Sequence, residues 1–213
     1  MSKVRVNGFS ISADGYGAGP AQSLEHPLGE GANFHEWLVD SRCFKTMVGQ
    51  DGGKEGVDND FAERSMAGLG AWVMGRNMFG PVRGPWPDDA WKGWWGGNPP
   101  YHCPVYVLTH PARAPLEMDG TTVFHFITEG PDKALELARA AAGDKDVRIG
   151  GGVATVRHYL KAGAIDEMHV AVAPTLLGSG EALFEGIDLP ALGYRVTEQV
   201  PGERALHLVT TRD

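Results

Sequence analysis

The run Val147-Arg148-Ile149 stops at three successive glycines, Gly150-Gly151-Gly152, and the chain then continues with Val153, Val156, Tyr159 and Leu160 at helical spacing as far as Ala162-Gly163. Strand, glycine turn and helix in that order form the building unit of a sheet covered by helices. The unit recurs in looser form. Ala71-Trp72-Val73-Met74 gives way at Gly75-Arg76-Asn77 to a helical turn through Met78-Phe79. Pro104 to Thr109 is a strand ended by His110-Pro111, and Thr122 to Thr128 is another with a Glu129-Gly130 exit. Pro131 then opens a helix whose apolar face is Ala134, Leu135, Ala138, Ala141 and Ala142. Met168 to Ala173 is a further strand, closed by Pro174. This alternation predicts an α/β fold with a largely parallel sheet and helices on both faces.

The two ends of the chain modify that plan. Val4, Val6, Gly8, Phe9 and Ile11 give an extended opening segment that ends near Asp14, in the turn cluster Ser12-Ala13-Asp14-Gly15. A glycine-rich loop to Gly31 follows, then a helix carrying Phe34, Trp37 and Leu38, with Cys43-Phe44 in the same rhythm. Residues 50–59 read as a surface loop, and Phe61, Met66 and Leu69 as a short helix. Tyr194 to Val200 and Ala205 to Thr211 are extended runs joined through Pro201-Gly202, which predicts an antiparallel hairpin at one sheet edge and makes the sheet mixed. Between Gly80 and Pro100 lie Trp86, Trp91, Trp94 and Trp95 among prolines and glycines. That cluster is a cover over the core, a subunit interface or a substrate wall.

Composition narrows the function classes. With 213 residues, 42% hydrophobic and 22% charged, one domain spanning residues 1–213 is the expected organisation. A formal charge of −8 argues against nucleic acid, whose binding needs many cations facing phosphates. Cys43 and Cys103 form no C-x-x-C pair and read as free thiols, and the eight histidines show no metal-ligand spacing, so no metal is expected. No apolar run approaches the ~18 residues of a membrane span, and residues 1–12 alternate instead of forming a signal core, so a cytoplasmic location is expected.

Three junctions between strands and helices invite chemistry. Gly150, Gly151 and Gly152 would let a ligand approach the backbone, with the next helix's free N–H groups facing a phosphate. The dinucleotide fingerprint G-x-G-x-x-G would need glycine where Thr155 stands, and close strand–helix packing explains the triplet equally well. Gly75-Arg76-Asn77 places a guanidinium at a second junction, and Thr109-His110 ends a third strand.

Taken together, several segments resemble the dihydrofolate-reductase-like superfamily, and more closely its branch that shares the reductase domain of bacterial riboflavin biosynthesis. They are Ser12-Ala13-Asp14-Gly15, Val73-Met74-Gly75-Arg76, Val107-Leu108-Thr109-His110, Ile149-Gly150-Gly151-Gly152, Ile165-Asp166-Glu167-Met168-His169 and Ala173-Pro174-Thr175-Leu176-Leu177-Gly178-Ser179-Gly180. The likeness spans nearly the whole chain. It implies a three-layer fold, NADPH (or NADH) lying across the strand ends, hydride transfer to a small heterocyclic or carbonyl substrate, and a homodimer. By matched position, Gly75, Arg76 and Asn77 would contact the adenosine side, with Thr109 and His110 nearby. Gly151, Gly152, Val153, Ala154 and Thr155 would hold the pyrophosphate, with Gly150 in the same turn. Asp14, Asn33, Trp37 and Trp95 are the expected substrate contacts, although Asp14 reads equally as a residue bonding amides in its own turn.

One departure bears on the chemistry. Dihydrofolate reductases carry a carboxylate on the first helix, and Asn33 stands at the approximate position here, leaving Glu36 or Asp40 as the carboxylates within reach of that role. Folate reduction is therefore not expected. A non-catalytic binding protein that retains the fold is the second reading, and a nucleotide or flavin sensor the third.

Overall fold

The computed structural model describes residues 2–80 and 84–213. Its strands are β1 (Val4–Ser12), β2 (Tyr16–Ala18), β3 (Leu69–Gly75), β4 (Pro104–Leu108), β5 (Leu116–Glu117), β6 (Val123–Ile127), β7 (Asp146–Ile149), β8 (Glu167–Ala173), β9 (Glu181–Ala182), β10 (Tyr194–Pro201) and β11 (Leu206–Arg212). The helices are α1 (Glu36–Val39), α2 (Arg42–Met47), α3 (Val57–Met66), α4 (Arg76–Phe79), α5 (Pro131–Ala142) and α6 (Val153–Lys161). Nine strands form one sheet in the order β10-β11-β8-β1-β7-β3-β4-β6-β5. The six from β8 to β6 run parallel, and the edges are antiparallel: β10 and β11 on one side, β5 on the other. This is the mixed, mostly parallel sheet with a terminal hairpin that the alternation predicts.

Strand β3 shows why helices must cover both faces. Ala71 and Val73 join the core made with Val4, Val147, Ile149 and the helices α5 and α6, whereas Trp72 and Met74 join a second core with Val105, Val107 and Phe124. Successive side chains leave a strand on opposite sides, so a run apolar at every position needs cover on both. Trp86 and Trp91 extend the second core: their indole N–H groups donate to Pro111 O (3.0 Å) and Phe79 O (2.8 Å). Residues 81–83 of the tryptophan segment lie outside the described residues.

Three sequence expectations are corrected. The helix expected from Phe34 through Phe44 is two short ones, divided at Ser41, whose hydroxyl accepts from Phe44 N–H (3.1 Å) and donates to Leu38 O (2.6 Å). The surface loop expected over 50–59 ends early, because α3 begins at Val57 and buries Asp58 and Asn59. Within the glycine-rich loop, β2 pairs antiparallel with β9 as a separate ribbon.

A bulge in β1 shapes the interior. Its register against β8 shifts between Val6 and Phe9, and Gly8 takes φ +63°, a conformation costly for a side chain. The freed Gly8 N–H donates to His169 Nδ1 (3.1 Å), His169 Nε2 meets His207 Nδ1 (3.0 Å), and His207 Nε2 meets Asp58 Oδ1 (2.8 Å). With both rings neutral and protonated at Nε2, every link has one donor and one acceptor. Burial first, then the neighbouring His207, brings the His169 pKa down to about 3, which keeps that ring uncharged.

Candidate active site

Strands β1, β7, β3 and β4 are adjacent and parallel, so their carboxyl ends share one edge, where ligands of open α/β sheets sit. Gly150 N–H donates to Val73 O (2.8 Å) and Gly75 N–H to Gly151 O (2.7 Å), stitching the glycine turn to the β3–α4 junction. A Cβ on Gly75 would lie 2.6 Å from Thr155 Oγ1, so only glycine lets the junction come so near α6. Gly151 has φ +107°, and the Gly151–Gly152 peptide is cis. Apart from its own chain neighbours, no heavy atom of the described residues stands within 4 Å of where a Gly152 side chain would begin. Gly152 also caps α6 without any side-chain bond, so among the described residues no side-chain cap takes up the backbone donors at the helix start, Val153, Ala154 and Thr155.

Arg76 does not reach that turn. Its Nη1 donates to Thr109 Oγ1 (3.0 Å) and Gly84 O (3.1 Å), and its guanidinium carbon lies 3.2 Å from the Trp86 ring centre. Arg113 stands 4.9 Å from the same ring. Nε and Nη2 of Arg76 and Nη1 of Arg113 have no acceptor among the described residues, and burial together with Arg113 lowers the Arg76 pKa. Two cations share one indole at the end of β4, and Arg113 is also ion-paired through Nε with Asp89 (3.3 Å), so Arg76 is the one of the two with no carboxylate partner among the described residues. Asn77 donates to Gln22 Oε1 (3.3 Å), and His110 is exposed.

A cavity of about 380 Å3 opens beside the glycine turn, walled by Phe9, Phe44, Trp72, Trp94, Trp95 and Tyr101. Of the residues singled out in the sequence, Asn77, Gly150, Gly152, Val153 and Trp95 line it. Gly75, Arg76, Thr109, His110, Gly151, Ala154 and Thr155 lie on the adjoining junctions without lining it.

The remaining expected substrate contacts are placed elsewhere. Trp37 is a core residue, 1% exposed: its Nε1 donates to Ser10 Oγ (2.8 Å) and its ring packs edge-on against His169 and His207. Asn33 is exposed and donates to Glu36 Oε1 (2.9 Å). Asp14 accepts from Ser12 Oγ (2.6 Å) and from the N–H groups of Gly178 (2.7 Å) and Leu177 (3.1 Å). These bonds, the Ser12 hydroxyl foremost, hold its carboxyl at about 2, so Asp14 fastens its own turn to the 177–178 turn. Glu36 and Asp40 are ion-paired with Arg204 (2.5 and 2.8 Å) and do not line the cavity.

His35, which the sequence offers as a residue able to reach substrate or as a structural histidine, lines the cavity, whereas Asn7, Trp72 and Arg148 line it without having been singled out as site residues. Burial takes the His35 pKa down to about 4. The signal for Arg148 was present, since a guanidinium between Val147 and Ile149 in an apolar strand must end inside the molecule.

A three-layer α/β sheet with its ligand edge at glycine turns defines the dihydrofolate-reductase-like class of fold. Solved structures agree. A candidate riboflavin biosynthesis protein from Shewanella sp. PV-4 is 22% identical with a TM-score of 0.59, covering 100% of this chain and 99% of that one. Acinetobacter baumannii RibD is 19% identical with a TM-score of 0.55 over 100% of this chain. This chain spans 58% of that protein, little more than half its length. A pyrimidine reductase-like protein from Corynebacterium diphtheriae is 15% identical with a TM-score of 0.51, covering 100% of this chain and 93% of that one. No curated protein matches the chain in sequence. The RibD C-terminal domain model matches residues 3–202, and the chain belongs to that family.

Proposed function

We propose that this protein is an NADPH-dependent reductase that passes hydride to a small planar heterocyclic or carbonyl acceptor. The observation carrying the reading is the open glycine turn: uncapped backbone donors at the start of α6 adjoin a cavity large enough for an aromatic ring. The residues present fit the cofactor, because the space beside Gly152 is clear and the Arg76–Arg113 pair has donors without acceptors. Gly151 to Thr155 would hold the pyrophosphate, and Arg76, with Thr109, the 2′-phosphate. When bound, NADPH supplies the hydride. The chain's own part is to orient the acceptor between aromatic walls and to exclude water. A homodimer belongs to the same proposal, and sedimentation at micromolar concentration tests it.

Calorimetry on ligand-stripped protein decides the cofactor. No heat with NADPH or NADH at millimolar concentration removes the proposal. Arg76→Ala should weaken NADPH more than NADH, and equal losses would count against its phosphate role.

A second reading, a binding protein without catalysis, is favoured by the ion-paired state of Glu36 and Asp40, which leaves neither carboxylate at the cavity. NADPH oxidation above background with any pterin, quinone or carbonyl compound would refute it.

A further inference from the structure

Three adjacent central strands place polar side chains on the cavity: Asn7 from β1, Arg148 from β7 and Trp72 from β3, each more than nine-tenths buried. Trp72 stands opposite Arg148 in the sheet register, and the guanidinium carbon lies 4.2 Å from the Trp72 ring centre. Arg148 Nη1 donates to Ser65 O (3.0 Å) and Met66 Sδ (3.2 Å), and Nη2 to Asn7 O (2.5 Å). All three acceptors are neutral. They aim the guanidinium but do not balance its charge, and among the described residues no carboxylate pairs with it. The neighbouring cation Arg5 has its own partner, Asp146 (3.0 Å), so the contrast lies within one stretch of sheet. Arg148 Nε, Asn7 Nδ2 and Trp72 Nε1 all have no acceptor among the described residues.

A buried cation without a counter-charge is costly to keep, and an unbonded buried donor adds to that cost. Burial lowers the Arg148 pKa to about 10, which still leaves it cationic at neutral pH. We infer that the cavity selects a planar ring bearing an anionic oxygen, a carboxylate or enolate, with Arg148 as the specificity-determining residue. Aromatic walls fit the ring, and among the described lining residues a single guanidinium, with the carboxylate of Glu181 elsewhere on the wall, fits a monoanion better than a phosphate dianion. This class is that of the hydride acceptor and so rests on the reductase reading.

The test compares 2-naphthoate with 2-naphthamide, which share a ring system and nearly a shape, by calorimetry and by quenching of tryptophan fluorescence. The expected result is naphthoate binding at least tenfold tighter, a difference abolished in Arg148→Met and partly kept in Arg148→Lys. Equal binding of the two probes by the unaltered protein, or no binding of either, overturns the inference. So does a preference that survives Arg148→Met, or one that disappears in Arg76→Ala, which would put the anion at the other arginine. Should thermal melting show Arg148→Met unfolded, the unaltered protein and Arg148→Lys decide the matter. NADPH is titrated into the same samples: naphthoate preference without NADPH binding defeats the cofactor reading alone, and the reverse pattern defeats the anion alone.

Discussion

Gly75 and Gly151 matter for the space they leave empty. A methyl group at Gly75 would press on Thr155 Oγ1 and drive the β3–α4 junction away from the glycine turn. Gly75→Ala should therefore weaken NADPH about tenfold or more while the protein still melts cooperatively, and adding Thr155→Ala should recover part of the loss. Calorimetry of the two single variants and the double measures that coupling. Gly151→Ala meets a different obstacle, since φ +107° is unfavourable for any side chain and Phe9 would stand 3.2 Å from the new atom. A loss of about 1–3 kcal/mol in urea-unfolding stability is expected. At this scale the sequence was half legible. The sequence placed the glycines and Arg76 at strand-to-helix junctions, where the structure has them, because turn chemistry is local. Trp37 did not, because which face of a short helix turns inward depends on partners such as His169 and His207, distant in the chain.

At the scale of elements, the start of α3 shows how far apart in sequence a helix and its cap can be. Gly56 offers no side chain, and the Glu203 carboxylate from the β10–β11 turn accepts the N–H groups of Val57 (3.1 Å) and Asp58 (3.0 Å). Glu203→Ala should cost about 1 kcal/mol, read as a lower urea midpoint. The Asp58 N–H bond lowers the Glu203 pKa, so the cap contributes above the ordinary carboxylate value and is lost as pH falls through the lowered one. Replacing His207 by Leu should be more damaging, about 3 kcal/mol or more, since it strands Asp58 Oδ1 and His169 Nε2 in a sealed interior. Periodicity located α5, α6 and every long strand. It placed the beginning of α3 too late, because nothing in residues 50–59 announces a cap that lies 146 residues onward.

For the whole molecule, order was the most readable property. Strand, turn and helix alternate because each buried strand needs cover, and the terminal hairpin followed from two extended runs around Pro201-Gly202. Acid stability is a property of the same scale. His169 and His35 are held neutral by burial, at about 3 and about 4, whereas in the unfolded chain each takes a proton near pH 6.5. Both pKa values are depressed on folding, so the unfolded state binds more protons and stability falls as pH drops below about 6.5. The slope should approach about 1.4 kcal/mol per pH unit for each histidine between pH 6 and the folded values. Urea midpoints at pH 7, 6 and 5 check it, and a flat profile would mean that these rings are not the buried neutral groups described. Because the Gly8 bulge is held by His169, and that ring by His207 on the last strand, an early part of the polypeptide waits for a late one. The stretch of cavity wall that Asn7, Gly8 and Phe9 supply is therefore tied to a ring 161 residues further along the chain.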